Sequence, residues 1–363
     1  MTLVTLSYVS ISKHSDPFQW LQQIDFFTGT LEQLSRSAKI HSFHHIHYRG
    51  HVEQNGVHYH FTNLSQWKLL FPFGLHKTIR ALNPDAVIIQ GFQSPFQSLL
   101  LRLSLDKKVQ LWIQHHADQP HRLHKMYFQK LLDKFILGYF FTSRELAEVW
   151  IKLKLIGNTN KIVEVMECSS VYYSIDRIQA KAATGLSGMN NYLWVGRLES
   201  NKDPIALITA FIKFLTIHPH AKLHVIYQQD DLLPEVSLLA ENISNIVLIG
   251  KQDKEQLLMW YNSAEFIIST SNYEGSGIAV CEAMSCGCIP ILSSIPAFRW
   301  MTENGKSGLL FEKGDTENLF QALNKSVTLN VQEEQSRTIK LFNDRLSFQS
   351  IAKTMLAAIS KHQ

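Results

Sequence analysis

Short apolar runs rich in β-branched and aromatic residues alternate with amphipathic stretches along almost the whole chain. That alternation predicts parallel strands covered on both faces by helices. In the first half the strand-like runs fall at residues 3–11, 39–48, 85–90 (DAVIIQ), 109–114 (VQLWIQ), 135–142 (FILGYFFT) and 161–166. Helical periodicity fills 16–37, 64–82, 94–105, 121–134 and 143–156. Asn55-Gly56 predicts a hairpin within this series, because the pair supplies the positive φ angles of a tight turn. Periodicity fades between 167 and 190, and a fresh cycle begins at NYLWVGRL. Its strands are expected near 191–195, 222–228, 245–249, 264–270, 288–292 and 308–311, each followed by a helical stretch. The expected architecture is α/β, with two Rossmann-like domains at 1–175 and 176–343 facing each other across a cleft, where open α/β sheets bind ligands. A last helical segment within 344–363 belongs to neither cycle and is placed to cross back onto the first domain.

Length and composition agree with two globular domains. The chain has 363 residues, 45% hydrophobic and 18% charged, enough for two separate cores and too apolar for disorder. No window holds about 18 uninterrupted apolar residues, the length of a membrane-spanning helix. The opening MTLVTLSYVSI lacks a positive leading segment and a small-residue cleavage site, so it reads as a first strand and leaves cytoplasm as the default compartment. Cys168 stands alone while Cys281, Cys286 and Cys288 crowd one segment, with no second pair at zinc-ligand spacing; small buried packing residues are the better reading.

Charge is uneven. Residues 1–175 hold 18 Lys+Arg against 12 Asp+Glu, together with 13 of the 17 histidines; the remainder holds 17 against 19. The basic half is compatible with an ordinary solvated face, with a phosphorylated acceptor, or with peripheral contact to an anionic membrane. No Arg-rich run with interleaved aromatics points to nucleic acid.

Candidate chemistry concentrates in the second cycle. In YEGSGIAVCEAMSCG, residues 273–287, a buried strand leads into a loop and then a helix that ends at Gly287, in the position favoured for a left-handed cap. Glu274 sits on that loop. Gly275, Ser276 and Gly277 let a ligand approach the backbone, and the first helix amides, from Ile278 on, have no partners within the helix, which suits a phosphate. Glu282, in the second turn, accepts hydrogen bonds and suits a diol such as a ribose. The bland alternative is a helix-start acid and an exposed helix acid. A second strand end, VGRLESNKDP, carries Arg197 and Lys202 just before Asp203, expected to cap a helix that Pro204 opens. Two cations and a helix terminus are able to neutralise a diphosphate leaving group without a metal. Asp230-Asp231 is the one hint of metal chemistry, but chelation more usually takes Asp-x-Asp, and Asp231 also suits a helix cap before LLPEV. In LWIQHHADQPHR, His115 and His116 follow a strand at the same kind of edge, and a neutral imidazole there is able to hydrogen-bond a sugar or handle a proton.

With VGRLESNKD, YEGSGIAVCEAMSCGCIPI and NGKSGLLFEKGD in place, the chain resembles the GT-B glycosyltransferases of glycosyltransferase family 4, the group 1 glycosyl transferases. The likeness covers the second domain in motif and the first by architecture. It implies a retaining, metal-independent transfer of sugar from a nucleotide-diphospho-sugar, with no cofactor beyond that donor, to a glycan, lipid-linked or small-molecule acceptor held by the first domain. By the resemblance Arg197 and Lys202 bind the diphosphate, Glu282 the ribose, and Glu274 with the amides of Gly277 and Ile278 the transferred sugar; His116 matches a histidine near donor sugar and acceptor. One departure stands out: the glycine-rich loop usual after the first strand is replaced by SISKHSDPFQW. Two other classes stay open on sequence alone, a sugar-nucleotide epimerase and a non-catalytic sugar-nucleotide-binding protein.

Overall fold

In the computed structural model, residues 1–11, 13–120 and 124–361 are described. They form two compact units. The first is Met1–Ser169 together with the segment from Phe348 onward, and the second is Ser170–Ser347.

The first unit is built on eight strands: β1 (Thr2–Ile11), β2 (Lys39–Ile46), β3 (Gly50–Gln54), β4 (Val57–Thr62), β5 (Ala86–Gln90), β6 (Gln110–Gln114), β7 (Gly138–Phe141) and β8 (Ile162–Glu164). They lie in the order β3-β4-β2-β1-β5-β6-β7-β8. All neighbours are parallel except the β3–β4 hairpin, whose turn places Asn55 at φ 51° and Gly56 at φ 79°. Strands inside the sheet are buried on both faces, as Val87, Ile88 and Ile89 of β5 and Leu111, Trp112 and Ile113 of β6 show. The helix Phe348–Ser360 packs on the helix Asp25–Ser35, and Gln110 Nε2 donates to the carbonyl of Ile359 at 3.2 Å.

The second unit holds β9 (Asn191–Gly196), β10 (Lys222–Tyr227), β11 (Ile246–Leu248), β12 (Phe266–Ser269), β13 (Ile289–Ser293) and β14 (Leu309–Phe311). Their order is β11-β10-β9-β12-β13-β14, every pair parallel. This is the doubly wound dinucleotide-binding order, whose direction reverses between β9 and β12. Alternate residues of those two strands feed two cores. Tyr192, Trp194, Phe266 and Ile268 pack with Phe211 and Phe214 on one face, and Leu193 and Ile267 with Tyr261 and Cys288 on the other.

Several expected elements change in detail. The helix expected over 16–37 is two helices, Pro17–Gln23 and Asp25–Ser35, parted at Ile24, whose ψ of 24° leaves the helical range. The one expected over 64–82 breaks around Pro72, which has no N–H to continue a helix, leaving Gln66–Leu70 and Phe73–Ala81. Asp231 does not cap the next helix: it is exposed in a turn, and the helix Leu233–Ala240 has Leu232 as its cap residue with no side-chain cap bond. The part of LWIQHHADQPHR from His121 and the start of the helix expected over 121–134 lie outside the described residues.

Candidate active site

Both strand ends at the reversal point carry predicted site residues. After β9 the chain makes a short 3-10 turn, Ser200–Lys202, and then Asp203, at φ 45°, accepts a hydrogen bond from the Ala206 N–H at 3.2 Å and caps the helix Pro204–Leu215. After β12 the loop runs through Glu274 to Gly277, the cap residue of the helix Ile278–Ser285. Hydrogen bonds stitch the two loops together. Asn272 N–H donates to Asn201 O at 2.8 Å, Asn201 Nδ2 to Tyr273 O at 3.0 Å, and Thr270 Oγ1 to Lys202 O at 2.6 Å.

That stitching brings Lys202 and Glu274 into direct contact: the ammonium donates to Glu274 Oε1, with side chains only 19% and 14% exposed. A cation and a carboxylate held largely out of water are costly to desolvate and gain back only by close pairing. Both line a cavity of about 30 Å³ with Gly277, Ile278 and Phe298, room for about one water. Gly275, Ser276 and Gly277 are buried, and Ile278 is half-buried. Gly277 has φ 63°, and a Cβ on it would stand 2.4 Å from the Phe298 ring, so the turn into the helix needs glycine on both counts. The helix it opens has no side-chain cap bond and no acid in its first turn, leaving the positive end of its dipole without an acid of its own.

Arg197 does not share the Lys202 pairing. It is 48% exposed and donates to Glu199 Oε1 at 2.9 Å, two residues along its own loop. Glu282 lies in the second turn of its helix, half-buried, and accepts from the hydroxyl of Tyr261 at 2.8 Å. Burial, and then the neighbouring Glu282 carboxylate, push the Tyr261 phenol well above its ordinary value, so it stays a donor across the usable pH range. Tyr261 went unrecognised in the sequence, as did the asparagines that join the loops. Tyr261 sits in an unremarkable helix, Lys254–Ser263, and only the packing of that helix brings it to Glu282.

In the first unit His115 and His116 part company. His115 is buried, stacked on Phe141 with 4.6 Å between ring centres, with Nε2 3.1 Å from Asp118 O: a core histidine. His116 donates from Nε2 to Gln90 Oε1 at 2.6 Å and presents Nδ1 to Glu167 Oε2 at 3.5 Å. Burial lowers its pKa, partly opposed by Asp118, so the ring is neutral near pH 7. Asp118 ties the strand ends together, accepting from the N–H groups of Phe92 (3.1 Å) and His116 (3.2 Å). His116, Glu167 and Gln90 line a cavity of about 280 Å³, otherwise mostly apolar, whose wall includes Val9, Ile11 and Trp20. The glycine-free stretch after β1 thus supplies part of that wall; Ser12 within it lies outside the described residues. Gln90, Asp118 and Glu167 were not singled out in the sequence, where the signal available was only their place just after strands. Cys168, Cys281, Cys286 and Cys288 are all buried. Among the described residues no three His, Cys, Asp or Glu side chains converge on a metal position, and no helix is long and apolar enough to cross a membrane.

Residues 176–340 match the family model described as "Glycosyl transferases group 1". The chain is 28% identical over 239 residues to the GDP-mannose:cellobiosyl-diphosphopolyprenol alpha-mannosyltransferase of Xanthomonas campestris, covering 61% of this chain and 59% of that protein. It is 30% identical over 143 residues to the D-inositol 3-phosphate glycosyltransferase of Corynebacterium jeikeium, covering 37% of this chain and 34% of that one. The matches thus span less than two thirds of either relative's length. Among solved structures, Anabaena HepE in complex with UDP and glucose superimposes with a TM-score of 0.72 at 12% identity, over 99% of this chain and all of that one. At that identity the likeness establishes the fold, GT-B, and nothing finer.

Proposed function

Because its second unit belongs to the group 1 glycosyl transferases, we propose that the chain transfers a sugar from a nucleotide-diphospho-sugar to a glycan, lipid-linked or small-molecule acceptor. The observation that carries this reading is the Lys202–Glu274 pair at the reversal point of the second sheet, beside the uncapped helix mouth at Gly277. A cation next to a helix N-terminus suits the diphosphate, and the carboxylate beside them suits sugar hydroxyls or positive charge at the anomeric carbon.

In this reading the donor's diphosphate lies against Lys202 and the amides from Ile278, and Arg197 exchanges Glu199 for a phosphate oxygen. Glu282, steadied by Tyr261, takes the ribose diol. Gly275, Ser276 and Gly277 let the sugar approach the backbone, where Glu274 and the amides of Gly277 and Ile278 receive it. As the bond from the anomeric carbon to the diphosphate lengthens, charge grows on the leaving oxygens, and preorganised donors stabilise it there more than in the ground state. The acceptor hydroxyl forms the new bond on the same face, which retains the configuration, and its proton passes to the departing diphosphate. The cavity around His116 in the first unit suits an acceptor that pairs hydroxyls with an apolar portion, with neutral His116 as the hydrogen-bonding group.

Metal independence belongs to the reading and is tested by activity in excess chelator. A cytoplasmic location does too, as the compartment that suits four buried cysteines kept as thiols. An epimerase or a non-catalytic binder is not favoured, because the curated relatives are named as transferases. Single replacement of Arg197, Lys202 and Glu282 by Ala should weaken donor use with the fold intact. Unchanged kinetics in all three would overturn the site assignment, and a screen of nucleotide sugars for a raised melting temperature identifies the donor.

A further inference from the structure

Between Glu53 and Asp85 the chain has no carboxylate. Within that interval, the segment that breaks at Pro72 exposes an unusual set of apolar side chains: Trp67 is 75% exposed, Phe73 62%, Phe71 43% and Leu70 40%. Other exposed aromatics, such as Phe18, Tyr127 and Tyr173, are far from this segment in sequence, whereas here three aromatics and a leucine fall within seven residues. These adjoin one another, with the Phe71 and Phe73 rings stacked 6.3 Å apart and Phe71 edge-on to Phe96 at 5.9 Å. Cations border them. Lys68 and Lys77 are exposed on the same two helices, and Lys68 and Arg49 border a groove of about 520 Å³ floored by Phe61 and Leu75, whereas Arg80, at the far end of the second helix, lines a separate cavity with Asp85 and Asp106.

An exposed apolar cluster of this kind marks an interaction surface. Its chemistry selects among partners. Trp and Phe beside Lys and Arg, with no acid in the interval, match the boundary layer of an anionic bilayer, where aromatic rings enter the headgroup region and cations meet lipid phosphates. The groove beside the cluster continues the same chemistry, with Arg49, Lys68 and His60 among its apolar lining. We infer that the segment 66–81, with Trp67, Leu70, Phe71 and Phe73 as the inserted side chains and Lys68 and Lys77, joined by Arg49, as the headgroup contacts, docks the first unit on an anionic membrane surface. The surface gives a place to the membrane contact that charge distribution left open, and it stands independently of the donor site.

The test is flotation of the full chain with phosphatidylcholine vesicles made with and without phosphatidylglycerol. Binding should require the anionic lipid and weaken with added salt. Trp67→Ala/Phe73→Ala and, separately, Lys68→Glu/Lys77→Glu should each lower the bound-to-free ratio roughly tenfold or more. In a second measurement, brominated lipid should quench tryptophan fluorescence in the wild-type chain, and most of that quenching should vanish in Trp67→Phe. The melting temperature and its rise with donor nucleotide, read without vesicles, show that the variants fold; a missing rise in the wild-type chain would count against the donor site alone. Absence of wild-type binding, equal binding by the aromatic double variant, or quenching undiminished in Trp67→Phe would overturn the inference. So would a dimer in vesicle-free solution that the same aromatic substitutions dissolve.

Discussion

The two units are built on the same kind of parallel sheet and present different surfaces at the strand ends where the candidate sites lie. In the second unit the strand ends offer paired, hydrogen-bonded charges: Lys202 on Glu274, Arg197 on Glu199, and Glu282 held by Tyr261. In the first, the corresponding edge offers a mostly apolar cavity with two neutral imidazoles, His44 and His116, beside Asp118 and Glu167, and the unit as a whole is rich in buried histidines. A diphosphate is the same charged object whatever sugar it carries, so fixed charges at fixed spacing recognise it. A partner of variable shape is met by packing surface instead, which no short motif spells.

The largest effect should come from breaking the charged side of this contrast. Lys202→Ala removes the cation and leaves Glu274 without it, and kcat/KM for transfer should fall roughly 10²–10³-fold, as for other losses of leaving-group or oxyanion stabilisation. Lys202→Arg, which keeps the charge but not its compact shape, should recover only part of the loss.

Acid should separate the units next. Burial holds His41, His45, His60 and His76 down to about 4 and His44 to about 3, all in the first unit, whereas in the second His224 is lowered to about 4. Above pH ~6.5 neither the folded nor the unfolded chain protonates these rings, so they add no pH dependence. As pH falls from ~6.5 toward ~4 the unfolded chain takes up protons that the folded one refuses, and stability drops by up to ~1.4 kcal/mol per pH unit for each ring. Calorimetric scans from pH 7 to pH 5 should show the first unit losing several kcal/mol more than the second, so that its melting temperature falls further. Parallel shifts of both units would remove the contrast.

Gly277→Ala sharpens the geometric side of the comparison. A side chain there is strained at positive φ and meets the Phe298 ring. The substitution should cost about 1–3 kcal/mol in urea unfolding and lower the donor-induced rise in melting temperature. Smallest is Tyr261→Phe: losing one hydrogen bond to Glu282 should raise the donor KM by about fivefold with kcat little changed.

Legibility in the sequence follows the same division. Strands such as β5, β6 and β13 are short apolar runs whose burial on both faces leaves little alternative, and their positions were readable to within a residue or two. The gathering of the candidate site residues of the second unit at two neighbouring strand ends was readable because glycines, a capping Asp-Pro pair and charged residues lie within single loops there. What was not readable depended on tertiary packing. Tyr261 reaches Glu282 across two helices, Asn201 and Asn272 act only once β9 and β12 are neighbours, and Asp118 works through backbone groups of Phe92 and His116. Asp231 misled because its spacing suits a cap, while the turn that begins at Asp230 starts the helix one residue later.

The most direct trial is a calorimetric titration of the wild-type chain and Lys202→Ala with UDP and with GDP, in chelator-treated buffer. Saturable binding of at least one of the two by the wild-type chain, weakened roughly a hundredfold in the variant, is the predicted result. Equal affinity in both proteins would contradict a diphosphate held at the mouth of the helix Ile278–Ser285.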